Sequence, residues 1–238
     1  MNPVVGILGG MGPGATVDAM QKLIRHTPAR KDQEHIPVIA VSIPDIPDRT
    51  QCILNHSASP LKKMVEYMKI LERAGATCII IPCNTAHYWF EDLKRYTQLE
   101  MISIIDATCQ QVAEQRVRHV AILATTATVR GEIYQHALAD QQVRCTLPTD
   151  EQQDAVMNSI YAYKAGDAAQ ARALLLPVVD SLRQRGVEKI ILGCTELPLI
   201  LEPEAVAEPD AYLDATDALI RKTIAWYYQQ VTHPPVAA

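Results

Sequence analysis

Two short stretches of this chain carry side chains able to do chemistry, and they are alike: Cys83-Asn84-Thr85 and Cys194-Thr195-Glu196. Each sets a thiol beside hydrogen-bond donors at the point where an apolar run gives way to a turn or helix, a setting that makes the thiolate available. Two such thiols facing one ligand could form a disulfide redox pair. They could equally form a two-base device, in which one thiolate takes a proton from one face of a carbon and the other thiol returns one to the opposite face. That second chemistry inverts a stereocentre. Its carbanion needs a carboxylate held by donors, and Asn84, Thr85 and Thr195 are placed to supply them. The other cysteines read differently: Cys78, Cys109 and Cys145 as buried small hydrophobes, and Cys52 as a structural residue in a loop.

The elements that must position these groups alternate regularly. Apolar runs at Val4–Leu8, Pro37–Ile43, Cys78–Pro82, Met101–Ile105, His119–Leu123, Val143–Leu147 and Lys189–Leu192 predict strands, several continuous enough to be covered on both faces. Between them lie helical periods. Ser59-Pro60 opens one that Gly75 closes; Thr149 with Gln152 is a capping box for one ending at Gly166; Asp167 caps one through Leu182, with a kink expected at Pro177. Such alternation predicts a parallel, doubly wound α/β fold.

An internal repeat refines this. Gly75 to Cys83 aligns with Gly186 to Cys194, 111 positions later, with eight steps from glycine to cysteine in both. Ile105-Asp106-Ala107-Thr108 echoes Leu213-Asp214-Ala215-Thr216, and Gly6 to Gly10 echoes Ala121 to Thr125. Three echoes in one order imply two pseudo-symmetric lobes, with both cysteines at carboxyl ends of strands, where open parallel sheets bind ligands. The first lobe is expected over 1–100 plus 211–232, the second over 101–210, and 233–238 as a disordered tail. The last helix carries a stripe of Ala215, Leu219, Ile220, Thr223, Ile224 and Tyr227, a core or dimer face.

Gly9-Gly10-Met11-Gly12, Cys83-Asn84-Thr85-Ala86-His87 and Gly193-Cys194-Thr195-Glu196 resemble the aspartate/glutamate racemase superfamily, specifically its aspartate racemase branch, over nearly the whole chain. The resemblance implies two flavodoxin-like lobes with the active site between them. It also implies cofactor-independent racemisation of an acidic amino acid in which Cys83 and Cys194 are the two acid/bases. Asn84, Thr85 and Thr195 would hold the α-carboxylate and amino group, helped by backbone amides near Met11 and by Thr125 or Thr126, with Gly10 in a supporting role. Arg49, in Pro47-Asp48-Arg49, and Lys164, in Tyr163-Lys164-Ala165-Gly166, match the residues that take the distal carboxylate. Taken alone, Arg49 would be a solvated loop charge and Lys164 a helix C-terminal cation. His87 belongs to the motif, and either packing or catalysis would account for it. Glu196 is either a tuner of the Cys194 thiol or a surface carboxylate. Glutamate racemases resemble this chain at the cysteines but carry Asp-Ser and His where Gly10-Met11 and Glu196 stand here, which favours the aspartate branch. Relatives are commonly dimers, so a homodimer is expected.

Composition bounds the rest. At 238 residues, 48% hydrophobic and 21% charged, the chain is an ordinary globular protein, and a net charge of −5 offers no basic surface to nucleic acid or anionic membrane. The apolar start Val4–Leu8 stops at Gly9, too short for a membrane span and without the charged flank of a signal peptide, so a cytoplasmic protein with reduced thiols is expected. No Cys/His cluster has metal-ligand spacing. Gly10-x-Gly12-x-x-Ala15 partly fits a dinucleotide fingerprint, but Asp32 and Glu34 precede the next strand and Asp45 lies too far on. A nicotinamide enzyme, a two-lobed amino-acid-binding protein, maleate isomerase and hydantoin racemase are the alternatives.

Overall fold

The computed structural model describes residues 3–232. The first half contains β1 (Val5–Gly9), α1 (Pro13–His26), β2 (Val38–Ser42), α2 (Arg49–Asn55), α3 (Leu61–Ala74), β3 (Cys78–Ile80), α4 (Phe90–Lys94), β4 (Glu100–Ile102) and α5 (Ile104–Glu114). The second half contains β5 (His119–Ala124), α6 (Thr126–Arg130), α7 (Gln135–Asp140), β6 (Arg144–Thr146), α8 (Asp150–Lys164), α9 (Ala168–Gln184), β7 (Lys189–Gly193), α10 (Leu197–Ile200), α11 (Glu202–Ala207), β8 (Tyr212–Asp214) and α12 (Ala215–Thr232).

Two four-stranded sheets result, ordered β2-β1-β3-β4 and β6-β5-β7-β8, with every pairing parallel. The second order is the first with each strand number raised by four, so the sequence repeat is a repeat of topology. In each sheet the winding reverses between the two inner strands, β1 and β3 or β5 and β7. Reversal leaves a crevice beyond their carboxyl ends, because the helices that follow depart to opposite faces.

The hydrophobic interior forms three layers. An outer cluster packs Leu8, Ile79 and Ile81 against α3 through Met64, Met68 and Leu71. A second outer cluster packs Leu123, Ile190 and Leu192 against α8 and α9. The central cluster is shared by both sheets, joining Ile7 and Ile80 to Ile122 and Ile191 through α5 and α12. The stripe predicted on the last helix serves this interior: Ala215, Leu219, Ile220, Thr223 and Tyr227 are buried and Ile224 packs against the cluster, so it is not an exposed dimer face.

The caps follow the sequence. Thr149 and Gln152 form the expected capping box, Asp167 accepts from Gln170 N, and Gly75 closes α3 at φ 100°. Helix α9 continues through Pro177 to Gln184. Other expectations are corrected. The strand expected at Met101–Ile105 ends at Ile102, because the Ser103 hydroxyl accepts from Asp106 N and starts α5. Cys52 lies in helix α2, capped by Asp48, rather than in a loop. Strand β8, which the sequence did not reveal, joins the second sheet, while β4 at 100–102 closes the first. The tail 233–238 lies outside the described residues. No described helix is long and apolar enough to cross a membrane.

One buried ion cluster stitches the halves together. Lys22 of α1 meets Asp18 one turn earlier and Asp214 Oδ2 of β8 at 2.6 Å, and is 7% exposed. Burial opposes the ammonium, but Asp214 and Asp18 outweigh it and hold Lys22 above the ordinary lysine value.

Candidate active site

The turns after β1, β3 and β7 converge on one small pocket. Its walls include Met11, Asp48, Arg49 and Thr50, the Cys83-Asn84-Thr85 turn, Thr125, Lys164, and the Cys194-Thr195-Glu196 turn. Each thiol sits just beyond an inner strand, where the chain must turn and a side chain can face the crevice. Cys83 opens a tight turn in which its amide donates to Ile81 O at 2.8 Å, and the Cys194 carbonyl accepts from Leu197 N at 3.0 Å as α10 begins. Both cysteines are 6% exposed. The pocket is small, about 20 Å³, room for little more than one water. A wider outer cavity of about 530 Å³ adjoins it, sharing Asp48, Arg49, Lys164 and Glu196 as the dividing wall.

The glycine turn makes this closeness possible. Gly10 has φ 84°, and a Cβ there would lie 2.5 Å from Ile43 O. Gly12 brings the turn against the other half of the protein: a Cβ on it would lie 3.7 Å from Glu196 Oε1. Gly10 lines the outer cavity, whereas Met11 reaches the inner one.

Charged and polar groups surround the second thiol. Cys194 Sγ donates to Glu196 Oε2 at 3.0 Å, and Thr195 Oγ1 donates to the same oxygen at 3.3 Å. The other carboxylate oxygen faces Lys164 Nζ at 3.5 Å. Burial, followed by the charge of Glu196, pushes the Cys194 thiol well above its ordinary pKa, and Lys164 works against this. For Lys164 itself, burial favours the neutral amine, but Glu196 and the two thiols more than compensate and raise its pKa. Glu196 is 4% exposed, so it is part of the interior and not a surface carboxylate.

Thr85 and Thr125 meet across the pocket at 2.9 Å, and both bond Thr128, at 3.0 and 2.9 Å. Three hydroxyls with one proton each satisfy one another around this triangle, so a ligand must open it to receive a donor. Arg49, the first residue of α2, points Nη1 at the carbonyls of Ile46 and Pro47, at 3.0 and 2.9 Å, while still lining the pocket. Lys164 is the last residue of α8, so the two cations approach from opposite halves.

Two expectations change. Thr126 does not line the pocket; its hydroxyl accepts from Gln153 Nε2 at 3.3 Å, and Thr125 alone faces inward. His87 is held for packing. Its Nε2 accepts from Ile104 N at 3.0 Å, which leaves Nδ1 to donate to Cys83 O at 2.9 Å, and its ring stacks on Phe90. Burial lowers its pKa to about 4, so it is neutral and supports the Cys83 turn from behind. Sequence reasoning missed Asp48 and Thr50, which adjoin Arg49, and Tyr134, whose hydroxyl reaches Asn84 Oδ1 at 2.5 Å. Outside the pocket, burial pushes Cys109 up to about 12 and Cys145 up to about 11, in keeping with inert thiols.

Known proteins share the sequence pattern and fold of this chain. The solved structure of Picrophilus torridus aspartate racemase matches with a TM-score of 0.87 and 33% identity, covering 95% of each chain. The broad specificity amino-acid racemase RacX of Bacillus subtilis is 27% identical over 233 residues, 94% of this chain and 98% of that one. An uncharacterized protein in the pnlA 3' region of Pectobacterium carotovorum is 55% identical over 150 residues, 63% of this chain and 100% of that protein. The family model described as Asp/Glu/Hydantoin racemase matches residues 8–223. With that span, the chain belongs to the Asp/Glu/hydantoin racemase family.

Proposed function

We propose that the chain interconverts L- and D-aspartate, with glutamate as the longer homologue, by proton transfer between Cys83 and Cys194. The observation that carries this reading is the pair of buried thiols, each beyond an inner strand of its own sheet, on one pocket that also receives Arg49 and Lys164. In one direction Cys83, as thiolate, takes the α-proton, and the C–H electron pair spreads onto the α-carboxylate. The Cys194 thiol then gives its proton to the opposite face, leaving Cys194 as thiolate and Cys83 as thiol. The reverse direction exchanges the roles: Cys194, as thiolate, takes the α-proton and the Cys83 thiol gives its proton to the opposite face.

Binding groups divide by charge. Asn84, Thr85, Thr125 and Thr195 hold the α-carboxylate and amino group, while Arg49 and Lys164 take the distal carboxylate. A guanidinium suits that task because its fork can bind both carboxylate oxygens. The reaction asks for no cofactor, since the thiols and donors supply both proton transfer and charge stabilisation. The 33% identity to an aspartate racemase over 95% of the chain supports aspartate as the first substrate to test.

The test is chiral chromatography of L-aspartate, D-aspartate, L-glutamate and D-glutamate incubated separately with reduced protein and no added cofactor. Formation of the opposite enantiomer from both forms of aspartate supports the proposal. Inertness toward all four rules it out and turns attention to hydantoins and maleate.

A further inference from the structure

Tyr134 belongs to no motif, precedes α7, and is completely buried. Its hydroxyl lies 2.5 Å from Asn84 Oδ1, across 50 residues of sequence. Asn84 is 2% exposed and lines the pocket, and its Nδ2 is a buried side-chain atom without a hydrogen-bond partner among the described residues. A buried amide N–H2 left unmade is costly, so its position beside a ligand pocket points to a partner that arrives with the ligand.

The phenol decides which end of the amide faces the ligand. A Tyr O–H donating to Asn84 must meet the carbonyl oxygen, which turns Nδ2 toward the pocket. The flipped amide would donate to the phenol oxygen instead, and the phenol proton would then need another acceptor. The nearest other acceptor, Thr108 Oγ1, is 3.5 Å away, beyond a normal O–H···O distance. Burial raises the Tyr134 pKa, so the phenol stays a donor. The same ring touches the second cysteine turn: a Cβ on Gly193 would lie 3.2 Å from Tyr134 Cε2.

We propose that Tyr134 is a positioning residue for racemisation, fixing the Asn84 amide with its N–H2 toward the substrate carboxylate while its ring packs beneath Gly193. This rests on the reading of the pocket as a racemase site. Tyr134 thereby reaches the residue after Cys83 and the residue before Cys194.

The test is a double-mutant cycle on the intact enzyme with Tyr134→Phe, Asn84→Ala and the pair, scored by KM and kcat for both enantiomers. Tyr134→Phe alone should raise KM about tenfold, the worth of one buried hydrogen bond lost on the substrate side. In the Asn84→Ala background it should change KM less than twofold, since the amide it orients is gone; a purely structural residue would impose the same penalty twice. Equal penalties in both backgrounds, or none in either, would overturn the inference while wild-type racemisation stood. An inert wild type would overturn the racemase reading, and this inference with it. Should Tyr134→Phe fold poorly, wild-type protein with 15N-labelled asparagine gives a second readout. Substrate should shift the Asn84 side-chain N–H2 pair, and an unmoved pair would contradict the proposal.

Discussion

The Cys194 thiol donates to Glu196 Oε2 across 3.0 Å, and Glu196 Oε1 faces Lys164 Nζ across 3.5 Å, so thiol, carboxylate and ammonium form one line into the pocket. The carboxylate opposes ionisation of the thiol and the ammonium favours it. Removing either neighbour should therefore move Cys194 in opposite directions. In Glu196→Gln the pH at which Cys194 becomes half-reactive toward iodoacetamide should fall, and in Lys164→Met it should rise. Peptide-resolved mass spectrometry, which separates Cys194 from Cys83, reads both. Shifts of the same sign would contradict the arrangement.

Lys22 should matter more than any surface cation. Lys22→Met leaves Asp18 and Asp214 facing each other in the interior, and should cost roughly 3–5 kcal/mol in urea unfolding. Lys94, whose pair with Glu91 at 3.1 Å is exposed, provides the control: Lys94→Met should cost less than about 1 kcal/mol. Equal costs would show that the buried cluster does not join the halves energetically.

His87 sets a pH window for stability. Its folded pKa is depressed from 6.5 to about 4, so the unfolded chain binds the proton first. The stability it contributes is complete above pH 6.5 and is lost as pH falls toward 4, by roughly 3 kcal/mol over that interval. His87→Gln should flatten the slope of unfolding free energy against pH between these limits, whatever its absolute stability. An unchanged slope would mean that His87 is not the buried neutral group described.

The sequence revealed most where a local rule leaves little freedom. Cys83 and Cys194 were legible because a residue just beyond an inner parallel strand must enter the crevice, and the repeat marked both strands at once. Tyr134 was not, since its partner Asn84 is 50 residues away and only the folded topology joins them. Strand β8 escaped because its apolar pair, Tyr212-Leu213, lies between Asp210-Ala211 and Asp214 with no longer run to mark it. At Ser103 a capping signal competed with an apolar run, and the cap won, because one hydroxyl accepting from Asp106 N fixes the start of α5. Thr125 and Thr126 were indistinguishable in sequence; the helix cap made by Thr125 decides which hydroxyl turns inward.

The central claim is that two thiols work on opposite faces of one carbon. Proton NMR in D2O with Cys83→Ser and Cys194→Ser, each mixed with L-aspartate and D-aspartate separately, tests it most directly. Both variants should lose racemisation, and each should wash deuterium into the α-position of one enantiomer only, a different enantiomer for each variant. Either variant racemising at the wild-type rate, or both exchanging the same enantiomer, would contradict the two-base account.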